Sequence, residues 1–384
     1  MRCNVESLGI LRVESLSACV SVLDAARELY VDRLDFADLG GSTPELDART
    51  GQRSAIFGAG EYAIVCTAPS GPESHAARFL RRHPEGIWGV TFEVRDVEKT
   101  FRLIEARGGT PLSEIRRARD AGGGMLAHFA IATPLGDTLF RFVQRDGFKP
   151  LFPGHFRKDG SGGKNRFGIQ ALDHLTTNLR TMAPVLLWLE AVMGFERFWE
   201  VTFHTQDIEC DAGHGSGLRS VVMWDPESGV KLANNEPARP FFRSSQVSLF
   251  IEDNRGDGIQ HAALAVRDII GAVRELRVRG LSFMPTGAAY YDALPERLSA
   301  LGVGKIGEEI ATLKELEVLV DGDRQSSYLL QIFVRAMAEL FDRPSAGPFF
   351  YELIQRKGDQ GFGAGNFRAL FESIEREQRN AGRA

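Results

Sequence analysis

Apolar and polar residues follow one another in a recurring order along this chain, and the order is clearest in its second half. ALDHLTTNL (171–179) predicts a strand, and MAPVLLWLEAVMGF (182–195) predicts a helix that stops at a glycine. SGLRSVVMW (216–224) and GVKLANNEP (229–237) predict strands joined by a turn at DPESG. IQHAALAV (259–266) reads as a strand, IIGAVRELRVRG (269–280) as a helix, and EVLVDGDRQSSYLLQIF (317–333) as a hairpin. FFYELIQR (349–356) closes the set as a strand. Strand, helix and then several strands, repeated, predict an α+β fold with curved antiparallel sheets.

The first half carries the same order. GIWGVTFEVRDVEKTFRLIEARGGTPL (86–112) reads like GIQHAALAVRDIIGAVRELRVRGLSFM (258–284): a strand, a V-R-D turn, and an amphipathic helix stopped at a glycine. TLFRFVQRDG (138–147) matches FFYELIQRKG (349–358), and GILRVESL (9–16) more faintly matches ALDHLTTNL. Three matches in one order indicate a tandem duplication. The expected division is 1–151, a connector at 152–168, and 169–384; FPGHFRKDGSGGKNRFG (152–168) has the composition of a flexible linker.

Composition narrows the class. The 384 residues are 43% hydrophobic and 25% charged, as in an ordinary globular protein, and long enough for a sizeable core. A net charge of -5 argues against a nucleic-acid or anionic-membrane partner. No apolar run approaches the roughly 18 residues of a membrane span, and the opening MRCNVESLGILRVESL lacks a signal-peptide pattern. Cys3, Cys19, Cys66 and Cys210 form no CxxC pair, so neither a zinc ribbon nor a disulfide framework is expected. A reduced, cytoplasmic protein is the simplest expectation.

Glu352 stands in the middle of an apolar, aromatic strand, where a lone buried carboxylate is costly unless neutralised. It can lie on a solvated edge, pair with a base, or hold a metal. The duplication offers an internal comparison. In the matched stretches His174 stands against Arg12, His261 against Gly89, and Glu352 against Arg141. Each of the three, taken singly, is ordinary in a strand. Together, two imidazoles and one carboxylate make the donor set of the facial triad of non-haem iron(II) oxygenases. On this reading the first half, lacking those donors, is metal-free and structural. Strand alternation puts Phe350 with Glu352 and Gln331 with Phe333, and turns Gln260 away from His261 unless the strand bends.

These residues belong to stretches that resemble the 4-hydroxyphenylpyruvate dioxygenase family of the vicinal-oxygen-chelate superfamily. The matching stretches are LDHLTTN, SGLRSVVM, NNEP, SSQ, GIQHAALAV, YYDAL, LLQIF, FFYELIQRKG and GFGAGNFRALFESIE, across about 171–377, with a weaker likeness in the first half. The resemblance implies tandem βαβββ-repeat domains curled into open barrels, the first degenerate and without metal, the second ending in a closing helix. It implies iron(II) on His174, His261 and Glu352. It implies polar catalytic positions at Ser220, Asn235, Gln246 and Gln331, and substrate contacts at Phe333, Phe350, Phe362, Asn366 and Phe367. The implied reaction takes 4-hydroxyphenylpyruvate and O2 to homogentisate and CO2, in a homo-oligomer (dimer or tetramer) with no nucleic-acid or membrane partner.

GFGAGNFRALFESIEREQ reads as a helix capped at Asn366, with Phe367, Leu370, Phe371 and Ile374 on one apolar face. It can simply dock on the core, or act as a lid hinged at Gly361, Gly363 and Gly365. VRAMAELFDRPSAG (334–347) is longer than the family pattern, and Val334 stands where Thr is common; the insert is placed to alter the mouth of the site or an oligomer contact. The rivals are 4-hydroxymandelate synthase on the same substrate, a dioxygenase for a related aryl 2-oxo acid, an extradiol dioxygenase on the same fold, and a metal-free binding protein. Asn235 and Phe367 stand where the synthases tend to carry aliphatic residues.

Overall fold

A computed structural model describes residues 6–205, 216–322, 327–363 and 366. The first sheet comprises β1 (Ile10–Cys19), β2 (Ala37–Ser42), β3 (Gln52–Ala59), β4 (Tyr62–Pro69), β5 (Gly86–Val94), β6 (Thr110–Pro111), β7 (Arg116–Arg119), β8 (Met125–Ala132), β9 (Leu139–Asp146) and β10 (His155–Gly162). The second comprises β11 (Ile169–Asn178), β12 (Glu196–His204), β13 (Gly217–Trp224), β14 (Lys231–Pro237), β15 (Gly258–Val266), β16 (Leu319–Asp321), β17 (Tyr328–Phe333) and β18 (Phe350–Lys357). Their orders correspond: β10-β2-β3-β4-β1-β5-β9-β8-β6, with β7 on β8, against β12-β13-β14-β11-β15-β18-β17-β16. Each sheet curls into an open half-barrel.

The expected antiparallel sheets are mixed. β1 pairs antiparallel with β5, and β11 with β15, but β4, β9, β14 and β18 join these central pairs in parallel. Within each unit a helical crossover follows the first strand, and the last strand returns beside the first in the same direction.

The shared V-R-D turn has a local cause. Asp96 and Asp268 are N-caps whose carboxylates accept from the backbone N–H of Glu98 and Lys99, and of Gly271. The helix after Asp268 buries Ile269, Ala272, Val273 and Leu276, an i, i+3, i+4, i+7 stripe, against the back of the sheet. Its run ends at Gly280, whose φ of 78° suits a residue without a Cβ.

One apolar core runs through both halves, joining Leu16 and Phe92 to Leu175, Leu264 and Tyr351. At its centre the buried hydroxyl of Tyr351 meets those of Tyr30 and Tyr62, each at 3.0 Å. The segment with linker composition is ordered differently from a flexible connector. Its β10 pairs antiparallel with β2, because an edge strand was available to satisfy its backbone. The long segment between β17 and β18 packs against the first half, with Glu339, Asp342, Pro344 and Ser345 exposed. Arg343 pairs with Glu85, the Glu85 N–H donates to Ser345 O at 2.9 Å, and Arg33 lies over Phe341, so this segment clasps the first half. Among the described residues, no helix is long and apolar enough to cross a membrane.

Candidate metal centre

β11, β15 and β18 lie side by side and bring His174, His261 and Glu352 together from distant parts of the chain. The register is explicit: Thr176 opposes His261, His174 opposes Ala263, and Ala263 opposes Glu352. One donor atom from each residue lies within 4.8 Å of the others, and all three residues are buried. Both imidazole Nε2 atoms stand 3.4 Å from Glu352 Oε2.

Two β-bulges build the surroundings. The β11–β15 ladder skips Asp173 between Leu172 and His174, and skips Gln260 between His261 and Ile259. Each bulged residue thereby reaches its neighbour. Asp173 Oδ1 meets His174 Nδ1 at 2.9 Å, and Gln260 Oε1 meets His261 Nδ1 at 3.0 Å. Simple alternation would turn Gln260 away; the bulge overrides it. With Nδ1–H donating to these acceptors, each ring presents Nε2 as a lone-pair donor toward Glu352.

Asp173 is itself held. Arg356 Nε and Nη2 donate to its two carboxylate oxygens at 2.7 Å each. Burial would raise the Asp173 carboxyl, but Arg356 and His174 hold it well below the usual carboxylate range. Glu352 is opposed in the same way: burial pushes it up, His174 and His261 pull it down, and it settles at about 2. Its other oxygen, Oε1, accepts from Gln331 Nε2 at 2.8 Å. Gln331 Oε1 accepts from Asn366 Nδ2 at 2.9 Å, and Asn366 Oδ1 accepts from the Tyr290 hydroxyl at 2.6 Å. Glu352 is therefore not a solvated edge residue: it is buried against two imidazoles and one amide. Two imidazoles and an ionised carboxylate, oriented from behind, fit a divalent transition metal with positions left for other ligands.

The expected residues divide into two groups. His174, His261, Glu352, Gln331, Phe333, Phe362 and Asn366 line a cavity of about 20 Å³. Phe350 stacks on His261 at 4.9 Å, and Phe362 packs against His174 at 4.8 Å. Ser220, Asn235 and Gln246 do not line that cavity. Asn235 pairs in register with Asn178 and Ser220, two residues along from Thr176, so all three occupy the metal-facing side of the sheet. Gln246 opens the helix Gln246–Asn254. Among the described residues, Ser220 Oγ, Asn235 Oδ1, Asn178 Nδ2 and both side-chain polar atoms of Gln246 are buried without a partner. Buried polar atoms are rarely left unpaired, so this wall is suited to a polar ligand. Phe367 and the expected closing helix lie outside the described residues.

The ladders also correct the alignment of the halves. Ser15 opposes Thr91 as His174 opposes Ala263, so the counterpart of His174 is Ser15, not Arg12. Arg12 instead bonds Glu93 at 2.8 Å. Gly89 and Arg141 do correspond to His261 and Glu352. The bulges fall at Glu14 and Asp173, the same place in both ladders, so Ile10, Val13 and Ser15 match Ile169, Leu172 and His174 without a gap, and the faint first match lies three positions out of this frame. The corrected frame pairs Glu14 with Asp173 and Arg145 with Arg356, and the first half repeats the bidentate ion pair. That repetition was the available signal for Asp173 and Arg356, which residue types alone did not single out.

The chain is 35% identical over 371 residues to 4-hydroxyphenylpyruvate dioxygenase of Dictyostelium discoideum, covering 93% of this chain and 95% of that protein. The chain belongs to the 4-hydroxyphenylpyruvate dioxygenase family. A second relative in this family, from Danio rerio, is 34% identical over 92% of this chain and 87% of its own length. Residues 12–138 and 171–294 match the Glyoxalase/Bleomycin resistance protein/Dioxygenase superfamily, one match in each half. Among solved structures, a triple mutant of 4-hydroxymandelate synthase from Streptomyces coelicolor matches with a TM-score of 0.79 at 27% identity, covering 96% of this chain and 99% of that one. A 4-hydroxyphenylpyruvate dioxygenase fused to a xylose isomerase-like barrel shares the fold, with a TM-score of 0.71 at 19% identity. Membership of the dioxygenase family and the triad agree on a metal-dependent site.

Proposed function

We propose that this protein is an iron(II)-dependent dioxygenase that converts 4-hydroxyphenylpyruvate and O2 to homogentisate and CO2. The observation that carries the reading is the buried triad of His174, His261 and Glu352, in a chain whose relatives of this name match over nearly their full length. When bound, the metal supplies the Lewis acidity and electrons that oxygen activation needs.

The side chains perform the rest. Asp173 and Gln260 fix the two imidazole tautomers, and Gln331 holds Glu352 in place. Phe333, Phe350 and Phe362 supply apolar walls for the aromatic ring and exclude water from the reacting carbons. Ser220, Asn235 and Gln246 hydrogen-bond the substrate's polar ends, which relieves their unpaired atoms. A cavity of about 20 Å³ holds roughly one water, so the substrate enters by displacing Phe362 and Asn366, which line it. Gly363, with φ of 69°, suits a hinge there. Buried free thiols at Cys19 and Cys66 support a reducing, cytoplasmic setting, and a homo-oligomer remains part of this reading.

The similarity to the synthase structure favours one alternative, 4-hydroxymandelate formation from the same substrate. Asn235, on the metal-facing side of the sheet at a position where the synthases tend to carry an aliphatic residue, supports ring hydroxylation instead. The test is chromatography of the products from purified protein, iron(II), O2 and 4-hydroxyphenylpyruvate. Homogentisate is expected; dominant 4-hydroxymandelate overturns the choice of branch, and absence of turnover with iron overturns the reading.

A further inference from the structure

A cavity of about 520 Å³ lies in the first half, far larger than the space beside the metal centre. It occupies the equivalent cup. Ser15, Arg141 and His128 line it, and the ladders make them counterparts of His174, Glu352 and Gln331. Trp88, in the bulge that corresponds to Gln260, forms part of the wall. The supporting frame is retained: Arg145 grips Glu14 as Arg356 grips Asp173. Only the donor set has changed, from His, His and Glu to Ser, Gly and Arg.

The replacement reverses the charge of the cup. Arg49, Arg116, Arg117 and Arg141 line it, and the one lining carboxylate, Glu14, is already engaged by Arg145. Arg117 also reaches Glu98 at the exposed rim. Among the described residues, no hydrogen bond or ion pair engages Arg141, although it sits deep in the cup at the position of a metal ligand. Burial first, then the nearby Arg141, Arg116 and Arg145, depress the His128 imidazole to about 4. Hydroxyls of Ser15, Ser17 and Thr91 surround the charge, while Trp88, Val65 and Leu126 add apolar wall. An unpaired inner guanidinium, flanking hydroxyls and an aromatic side form a carboxylate-binding arrangement.

We propose that the cup of the first half binds a small organic anion, an aryl or alkyl carboxylate of drug-like size or smaller, with its carboxylate on Arg141. The first half is thus a second ligand site rather than a structural remnant. This is independent of the metal chemistry in the second half.

The test is calorimetric titration of phenylacetate, with neutral phenylacetamide as control, into the metal-loaded protein and into Glu352→Gln, which removes competition from the metal centre. One saturable phenylacetate site is expected to persist in Glu352→Gln. Adding Arg141→Gln should weaken it at least about tenfold, and phenylacetamide should bind about tenfold more weakly or not at all. Arg116→Gln, at an exposed position, serves as a second variant whose folding is not at risk, and it should weaken binding by a smaller factor. Metal content should be unchanged by Arg141→Gln and Arg116→Gln. No saturable binding in the Glu352→Gln background up to about 10 mM, or affinity indifferent to Arg141→Gln and Arg116→Gln, overturns the proposal.

Discussion

Arg356 holds Asp173 through two parallel hydrogen bonds of 2.7 Å, and Asp173 in turn holds His174 Nδ1 at 2.9 Å. The pair sits behind the metal site and reaches it only through His174. Arg356→Met should free Asp173 and let the His174 ring turn. Metal affinity is expected to fall by about 10- to 100-fold, as for other partners of metal-binding histidines. Metal titration followed by turnover at saturating metal measures it; unchanged affinity would show that the ion pair serves folding alone.

Glu352→Gln preserves shape and the contact with Gln331 but removes the only ligand charge. Metal per chain should drop steeply in elemental analysis, and activity with it. Full retention of both would remove Glu352 from the ligand set.

Tyr351 and Glu352 are neighbours that face opposite ways, one into the core shared by both halves and one into the cup. Tyr351→Phe strands the buried hydroxyls of Tyr30 and Tyr62. A stability loss of about 1–3 kcal/mol is expected in denaturant unfolding. Metal content should stay at the parent level, separating the two faces of one strand.

His128 gives a pH prediction. Burial and the arginines around it lower its folded value to about 4, against an ordinary value near 6.5. Below about 6.5 the unfolded chain takes up a proton that the folded chain refuses, so stability falls as the pH drops toward 4. His75 and His155 are lowered as well and add to the same slope. His128→Gln should flatten the loss between neutral pH and about pH 4.5 without abolishing it. Parallel slopes for parent and variant in denaturant unfolding would rule His128 out as a contributor.

Periodicity and repetition, read along the chain, were enough for the duplication and for most strands of the second half, but not for the strand Glu196–His204 or the helices Gln246–Asn254, Ala288–Asp292, Leu294–Ala300 and Ile310–Leu316. They also sufficed for the three candidate ligands, because a shared frame exposed His, His and Glu as departures from it. Those features depend on side-chain spacing within a single element, which is a local property. What tertiary structure alone decided depends on which strands become neighbours. The bulges at Asp173 and Gln260 are defects in a ladder between β11 and β15, invisible until both strands are paired, and the register of the two ladders is what identifies Ser15, not Arg12, as the counterpart of His174. The connector became β10 because an edge was free, and the long segment before β18 found its partners in the first half. The cup around Arg141 has the same origin: Arg49, the adjacent Arg116 and Arg117, and Arg141 come from separate stretches of the chain, and only closure of the half-barrel gathers their charges in one cavity.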